Sequence, residues 1–226
     1  MAAGFQVLKR KRQVDATLVE QFRTIPVANI SDSMQRIVHG GPRLRPLHAG
    51  GVLCGPAVTV KTRPGDNLMV HMALNVARAG DVIVVDAGGD LSNALIGERM
   101  LAYCVAKDLA GIVINGAVRD IAWIRAQNFP VYAAGVTHRG PYKDGPGEIN
   151  VPVALDGMVI EPGDLVVGDD DGLVCVPFAQ AQEVQATAAA KFRQESETFA
   201  AIATKPDNDL AGYTKKLKAL GCFFEE

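Results

Sequence analysis

Two short, uninterrupted apolar runs constrain this chain most. Asp81–Asp86 reads Asp-Val-Ile-Val-Val-Asp, and Gly111–Asn115 reads Gly-Ile-Val-Ile-Asn. Neither alternates polar with apolar, and neither is long enough for a helix, so each is a strand buried on both faces. Between them Glu98–Lys107 carries helical spacing, and Gly111 closes the polar turn that follows it. Ile121–Gln127 is helical again and leads into a strand at Pro130–Ala133. Strand–helix–strand–helix–strand is the rhythm of right-handed crossovers in a parallel or mixed sheet, which makes the fold class α/β.

The flanks add detail. In Asp15–Ile25, Leu18, Val19, Phe22 and Ile25 fall on one helical stripe. Asn29–Val38 predicts a second short helix, ended by Gly40-Gly41-Pro42. Val52–Thr62 is a strand in which Pro56 marks an edge or a bulge. Asn67–Arg78 is a helix closed by Gly80. Pro141–Asn150, rich in Gly and Pro, reads as a long loop. Val151–Val176 holds short β runs separated by the turn dipeptides Asp156-Gly157, Pro162-Gly163 and Asp171-Gly172. Pro177 opens a helix in the N1 manner towards Ile202, Pro206 breaks it, and Asp209 caps a last helix ending at Leu220. The expectation is one domain over residues 1–226 with a helical tail from about 177.

Bulk properties exclude several function classes. A net charge of -2 gives no electrostatic case for nucleic acid. The basic cluster Lys9–Arg12 reads as a solvated arm. No apolar run is long enough to span a bilayer, and no signal-peptide pattern opens the chain. Cys54, Cys104, Cys175 and Cys222 are scattered without a C-x-x-C pair, which suits a reduced, cytoplasmic protein. His39, His48, His71 and His138 have no zinc-ligand spacing. P-loop, Gly-x-Gly-x-x-Gly and G-x-S-x-G signatures are absent.

The chemistry-bearing residues gather around one strand end. Arg119 and Asp120 stand side by side after Gly111–Val118, and Glu98 lies upstream with twenty residues between it and Arg119. Ligands collect at the ends of parallel strands. An Asp there can hold a hard metal ion, and an Arg can neutralise a growing oxyanion. Blander readings stand beside these: Arg119–Asp120 as a surface pair, Asp120 as a helix N-cap, Glu98 as a first-turn acid facing the helix dipole. Nothing in Ala94–Gly97 can cap the helix that starts at Glu98, so its amides await either water or a ligand carboxylate. Asp169-Asp170-Asp171-Gly172 reads as a polar turn ahead of a metal loop. His138–Lys143 carries pocket-suited groups on a connection that is either functional or merely solvated.

Gly80–Asp86, Gly97-Glu98, Gly111–Asp120, and Pro162-Gly163-Asp164 through Asp169–Gly172 together resemble the RraA-like family, over roughly Asp15 to Pro177. The pattern acid, twenty residues, Arg-Asp is similar to its aldolase branch, the class II pyruvate aldolases acting on 4-hydroxy-4-methyl-2-oxoglutarate and 4-carboxy-4-hydroxy-2-oxoadipate. The resemblance implies a three-layer β/β/α swivelling-domain fold with C-terminal helices, and a homotrimer or hexamer with sites at subunit interfaces. It implies Mg²⁺ or Mn²⁺ on Asp120, with Glu98 reaching the metal through water. Arg119 would contact the keto oxygen of the pyruvyl unit. The amides of Gly97, Glu98, Arg99 and Met100 would bind its carboxylate. A carboxylate from a neighbouring subunit's C-terminal region completes such sites, and Glu195 or Glu197 would supply it here. The loop His138–Glu148 differs from the best-known aldolases and bears on the distal half of the substrate.

The function expected from this is divalent-metal cleavage of a 4-hydroxy-2-oxo acid to pyruvate. Oxaloacetate decarboxylation would be a side activity, because it passes through the same enolate. A rival from another class is a non-catalytic trimer that binds and regulates a protein partner such as a ribonuclease. A third is a hydrolase or isomerase of another keto acid on the same platform.

Overall fold

The computed structural model describes residues 4–37, 41–204 and 210–225. In chain order its elements are β1 (Gln6–Val7), α1 (Ala16–Phe22), α2 (Val27–Ser33), β2 (Arg45–Pro46), β3 (Leu53–Thr62), α3 (Leu68–Val76), β4 (Val82–Asp86), β5 (Ala94–Ile96), α4 (Glu98–Ala106), β6 (Gly111–Val118), α5 (Ile121–Gln127), β7 (Val131–Val136), β8 (Gly147–Ile149), β9 (Val153–Leu155), β10 (Met158–Ile160), β11 (Leu165–Asp169), β12 (Gly172–Val176), α6 (Ala181–Thr204) and α7 (Leu210–Ala219).

The main sheet runs β1-β8-β3-β4-β6-β7-β2, with β5 beside the far end of β6. β3, β4, β6 and β7 are mutually parallel, as the crossover rhythm requires. Both faces of this sheet are covered, which is why β4 shows no polar alternation. Ile83 and Val85 pack with Val70, Leu101, Cys104 and Ile124 of the α3–α5 layer. Val82 and Val84 point the other way, into a core shared with Val153, Leu155, Ile160, Val166 and Cys175. That second β layer comprises the hairpins β9–β10 and β11–β12. The outer side of β11–β12 is sealed by α1, α2 and α6, where Phe22, Ile30, Val167, Val174 and Ala188 meet. Helices, sheet and small sheet make the three layers, and α6 and α7 follow as the C-terminal helices.

Several elements depart from the sequence reading. Pro56 does not mark an edge. β3 pairs with β11 over Leu53–Pro56 and with β4 from Ala57 onward, so the proline sits where one strand exchanges partners inside the sheet. The loop Pro141–Asn150 contains β8, which joins β1 to β3. The second helix begins two residues early and ends by Met34, because Gln35 and Arg36 take left-handed backbone (φ 58° and 61°). Its expected end at Val38–Gly40, and His39, lie outside the described residues, as do Pro206 and the cap at Asp209. Gly80 does not cap α3, which stops at Ala77 in extended backbone; its N–H donates instead to the Asp108 carbonyl. Gly111 is the first residue of β6, not a helix stop. Pro177 precedes a 3₁₀ turn (Phe178–Gln180) before α6 starts.

The basic arm is not free in solvent. Arg10 makes a two-pronged pair with the buried carboxylate of Asp81 at 2.8 and 3.1 Å, and Arg12 pairs with Glu161. Cys54, Cys104 and Cys175 are buried and Cys222 is exposed, with no disulfide. Burial pushes the Cys54 and Cys104 thiols up to about 12, which leaves them inert at neutral pH. Among the described residues no helix is long and apolar enough to cross a membrane.

Candidate active site

β6 runs three residues past Asn115, to Val118, and delivers Arg119 and Asp120 to the sheet's C-terminal edge. Next to it β5 pairs in parallel and delivers Gly97 and the start of α4 to the same place. The Arg119 N–H donates to the Ile96 carbonyl at 3.0 Å and locks the two strand ends together. Asp120 then turns sharply, in the left-handed region at φ 63°. Asp tolerates this conformation better than most residues.

That turn decides between the readings of Asp120. It stands at the N-cap position of α5 but makes no cap bond there. Its Oδ2 instead accepts the backbone N–H of Glu98 at 2.9 Å. The helix start that nothing local could cap is therefore capped from 22 residues downstream. Arg119 Nε lies 3.7 Å from the same oxygen, with both side chains part-exposed. Gly97 is needed for this approach. A Cβ there would overlap Asp120 Oδ2 and come within 2.9 Å of Arg119 Cγ.

These residues line a pocket of about 280 Å³. One wall is Ala94 to Met100, the floor is Arg119–Asp120, and the opposite wall is Asn67, His71, Pro141 and Lys143. Glu98, Arg99, Met100, Arg119 and Asp120 are thus brought together. Among the first-turn amides, Glu98 N–H is taken by Asp120 and Met100 N–H by the Gly97 carbonyl. Only part of the expected amide cradle therefore remains open to a ligand carboxylate. Glu195 and Glu197 are not part of this pocket. Glu195 lies on α6, where it accepts from Asn29 Nδ2 at 2.6 Å.

Three permanent cations, Arg99, Arg119 and Lys143, face two carboxylates here, so the pocket favours an anion. Burial lowers the His71 imidazole below its ordinary value, and repulsion from Lys143 and Arg99 lowers it further. Asn67 donates Nδ2 to the Leu95 carbonyl at 2.8 Å, while its buried Oδ1 has no partner. Such an acceptor calls for a donor. Asn67 and His71 went unnoticed in the sequence because they sit in an ordinary-looking amphipathic helix. Their one signal is that polar residues interrupt its apolar run at the turn nearest the sheet edge.

The pocket's two carboxylates, Glu98 and Asp120, are of the kind that a hard divalent ion takes. Among the described residues no three His, Cys, Asp or Glu side chains converge. Mg²⁺ binds through one or two carboxylates and keeps its waters. Asp120, whose Oδ1 stays available while Oδ2 holds the Glu98 amide, meets that need with Glu98 lining the same pocket.

Other candidates resolve as structural. Asp169 Oδ2 accepts the Val27 N–H at 2.9 Å and caps α2, so the triple-Asp segment is a hairpin turn with a capping duty. His138 lines a separate hollow beside Arg119 and Asp120. A larger hollow of about 810 Å³ follows Val7–Gln13 and has no carboxylate in its lining.

Residues 27–175 match the model of the RraA-like family, described as Aldolase/RraA. The chain belongs to the RraA-like family. A relative from Halalkalibacterium halodurans, named "Putative 4-hydroxy-4-methyl-2-oxoglutarate aldolase", is 39% identical over 91% of this chain and 97% of its own length. Among solved structures, an uncharacterized protein from Pseudomonas syringae pv. tomato superposes with a TM-score of 0.78 at 27% identity, covering 85% of this chain and 95% of that one. Streptomyces coelicolor RraAS2, described as an unusual member of the RNase ES inhibitor RraA family, gives 0.74 at 29%, covering 84% and 98%. These likenesses bear out the β/β/α RraA-like fold.

Proposed function

We propose that this protein is a divalent-metal-dependent aldolase that cleaves a 4-hydroxy-2-oxo acid to pyruvate. The observation that carries the reading is the Gly97–Glu98–Arg119–Asp120 junction. Two strand ends there hold a carboxylate, a guanidinium and a helix start against one anion-favouring pocket. The aldolase name of the Halalkalibacterium relative supports it.

Asp120 would hold Mg²⁺ or Mn²⁺, with Glu98 contributing through water. When bound, the ion supplies Lewis-acid polarisation of the 2-oxo group. The remaining amides of the α4 start, Arg99 among them, receive the substrate's carboxylate. Glu98 orients the water that takes the 4-hydroxyl proton. The C3–C4 bond then breaks, its electron pair moves into the C2–C3 unit, and a carbonyl forms at C4. Arg119 neutralises the charge that grows on the C2 oxygen, a contribution of about 3–4 kcal/mol for one well-placed donor. The proton taken from the 4-hydroxyl would be returned through the same water to C3, which completes pyruvate. Oxaloacetate enters the same sequence by losing CO₂ in place of the C4 fragment, so decarboxylation is a second activity of the proposed site.

The pocket is open on one side, and charges of this kind work best where water is limited. A neighbouring subunit of a homotrimer or hexamer is the proposed cover, with Glu195 or Glu197 as its carboxylate. The test is pyruvate release from 4-hydroxy-4-methyl-2-oxoglutarate, coupled to lactate dehydrogenase, with Mg²⁺ and then with chelator. Metal-dependent NADH loss supports the reading. No turnover, together with tight binding to a ribonuclease, would favour the regulatory role that the name of the Streptomyces relative suggests.

A further inference from the structure

We infer that Asp66, which does not line the pocket, is the positioning residue that sets the wall facing Arg119 and Asp120. Its side chain is completely buried and its carboxylate is fully engaged. Oδ1 accepts the Leu68 N–H at 2.9 Å and caps the start of α3. Oδ2 accepts the N–H groups of Asp144 at 2.7 Å and Gly145 at 2.9 Å, and the Arg63 guanidinium at 3.1 Å. Burial alone would raise this carboxyl; the three amides and Arg63 outweigh it and hold the group below the usual carboxylate range.

The consequence is geometric. Two segments 78 residues apart are clamped on one carboxylate. One carries Asn67, the next residue, and His71, one helical turn on. The other carries Lys143, the residue before Asp144. The backbone repeats the clamp, since Asn67 N–H donates to the Tyr142 carbonyl at 3.0 Å and Tyr142 N–H to the Gly65 carbonyl at 2.9 Å. Asp66 joins the two segments that meet across the pocket, and it fixes the spacing of Lys143 and His71 against Arg119.

This inference rests on the pyruvate-forming reading, and its test separates the two. In Asp66→Asn the amide can serve α3 or the loop with its oxygen, but its NH₂ faces a backbone donor on the other side. The variant should stay folded, with KM for the 2-oxo acid raised at least ~10-fold and kcat changed less than about threefold, the mark of binding lost equally in the ground and transition states. Independently of turnover, the His71 ring signal in NMR should titrate closer to the ordinary histidine value as Lys143 moves off; Arg99, Glu98, Arg119 and Asp120 share that pocket and stay in place. A folded Asp66→Asn with unchanged KM and unchanged His71 titration overturns the inference. If Asp66→Asn does not fold, Asp66→Glu keeps the charge but lengthens the clamp by one methylene, and should move both readouts in the same direction; no movement in either overturns it as well. Failure of the wild-type protein to turn over any 2-oxo acid would strike the functional reading alone, since the His71 titration still reports on the clamp.

Discussion

Replacing Gly97 with Ala should disable the site while leaving the fold standing. Gly97 has extended backbone (φ -154°, ψ -169°), which any residue adopts, so the substitution brings no backbone strain. The cost is steric. The new methyl would overlap Asp120 Oδ2 and lie within 2.9 Å of Arg119 Cγ and 3.0 Å of Arg119 Nε. Overpacking of this sort costs about 1–3 kcal/mol when nothing can yield. Here both neighbours can swing outward, because Arg119 is 45% and Asp120 34% exposed. The stability loss therefore belongs at about 1 kcal/mol, a fall in Tm of about 2–4 °C for a chain this long. Function has no such relief. The swing takes the carboxylate off the Glu98 N–H and moves the guanidinium from its place, and misplacement by about 1 Å is worth about 100-fold in rate. Lactate dehydrogenase-coupled turnover and a thermal melt read the two effects separately. A folded Gly97→Ala with turnover within about threefold of wild type would refute the reasoning, because the close approach would then be incidental to the chemistry.

Arg119→Lys should lower oxaloacetate turnover at least ~100-fold in a spectrophotometric assay, since a point charge of different reach replaces a planar fork of donors; near-normal turnover would leave Arg119 a structural partner. The His71 imidazole sits below its ordinary value through burial, with Lys143 and Arg99 adding to the effect. The native state then takes up that proton less readily than the unfolded chain, so stability is full above about pH 6.5 and falls as pH drops through the native value. Urea midpoints should decline more steeply towards acid in wild type than in His71→Gln, and equal slopes would mean that His71 is not desolvated. Light scattering after size exclusion should find a trimer or hexamer whose dissociation ends activity; a fully active monomer would show that the pocket needs no neighbour.

The sheet was legible because its strands are short, apolar and separated by helices of ordinary length. Burial on two faces writes itself into Val82–Val85 and Ile112–Ile114 as an absence of polar residues. The hairpins β9–β10 and β11–β12 were legible from Asp156-Gly157 and Asp171-Gly172, whose turn chemistry is local. Helix starts were harder to read. Asp120 caps α4, Asp169 caps α2 and Asp164 caps the turn at Phe178, across 22, 142 and 14 residues. A window sliding along the chain sees only bare helix starts and surplus aspartates. The arm at Lys9–Arg12 misled in the same way, because the buried Asp81 that neutralises Arg10 is 71 residues distant. Arg119, Asp120 and Glu98 stood out in the sequence by residue type and spacing. Asn67 and His71 did not, because the wall they form exists only where α3 meets the Gly/Pro-rich loop, whose Lys143 the sequence marked as one of several pocket-suited groups.

Methyl-proton exchange tests, without knowledge of the natural substrate, whether this pocket forms and stabilises the enolate of pyruvate. Pyruvate incubated with the protein in D₂O should lose its methyl ¹H NMR signal in the presence of Mg²⁺ or Mn²⁺. The loss should stop with chelator and be abolished in Asp120→Ala, whose calorimetric Mn²⁺ signal should vanish while its circular dichroism stays native. Exchange no faster than in buffer with metal, or exchange that persists in a folded Asp120→Ala, would contradict the account.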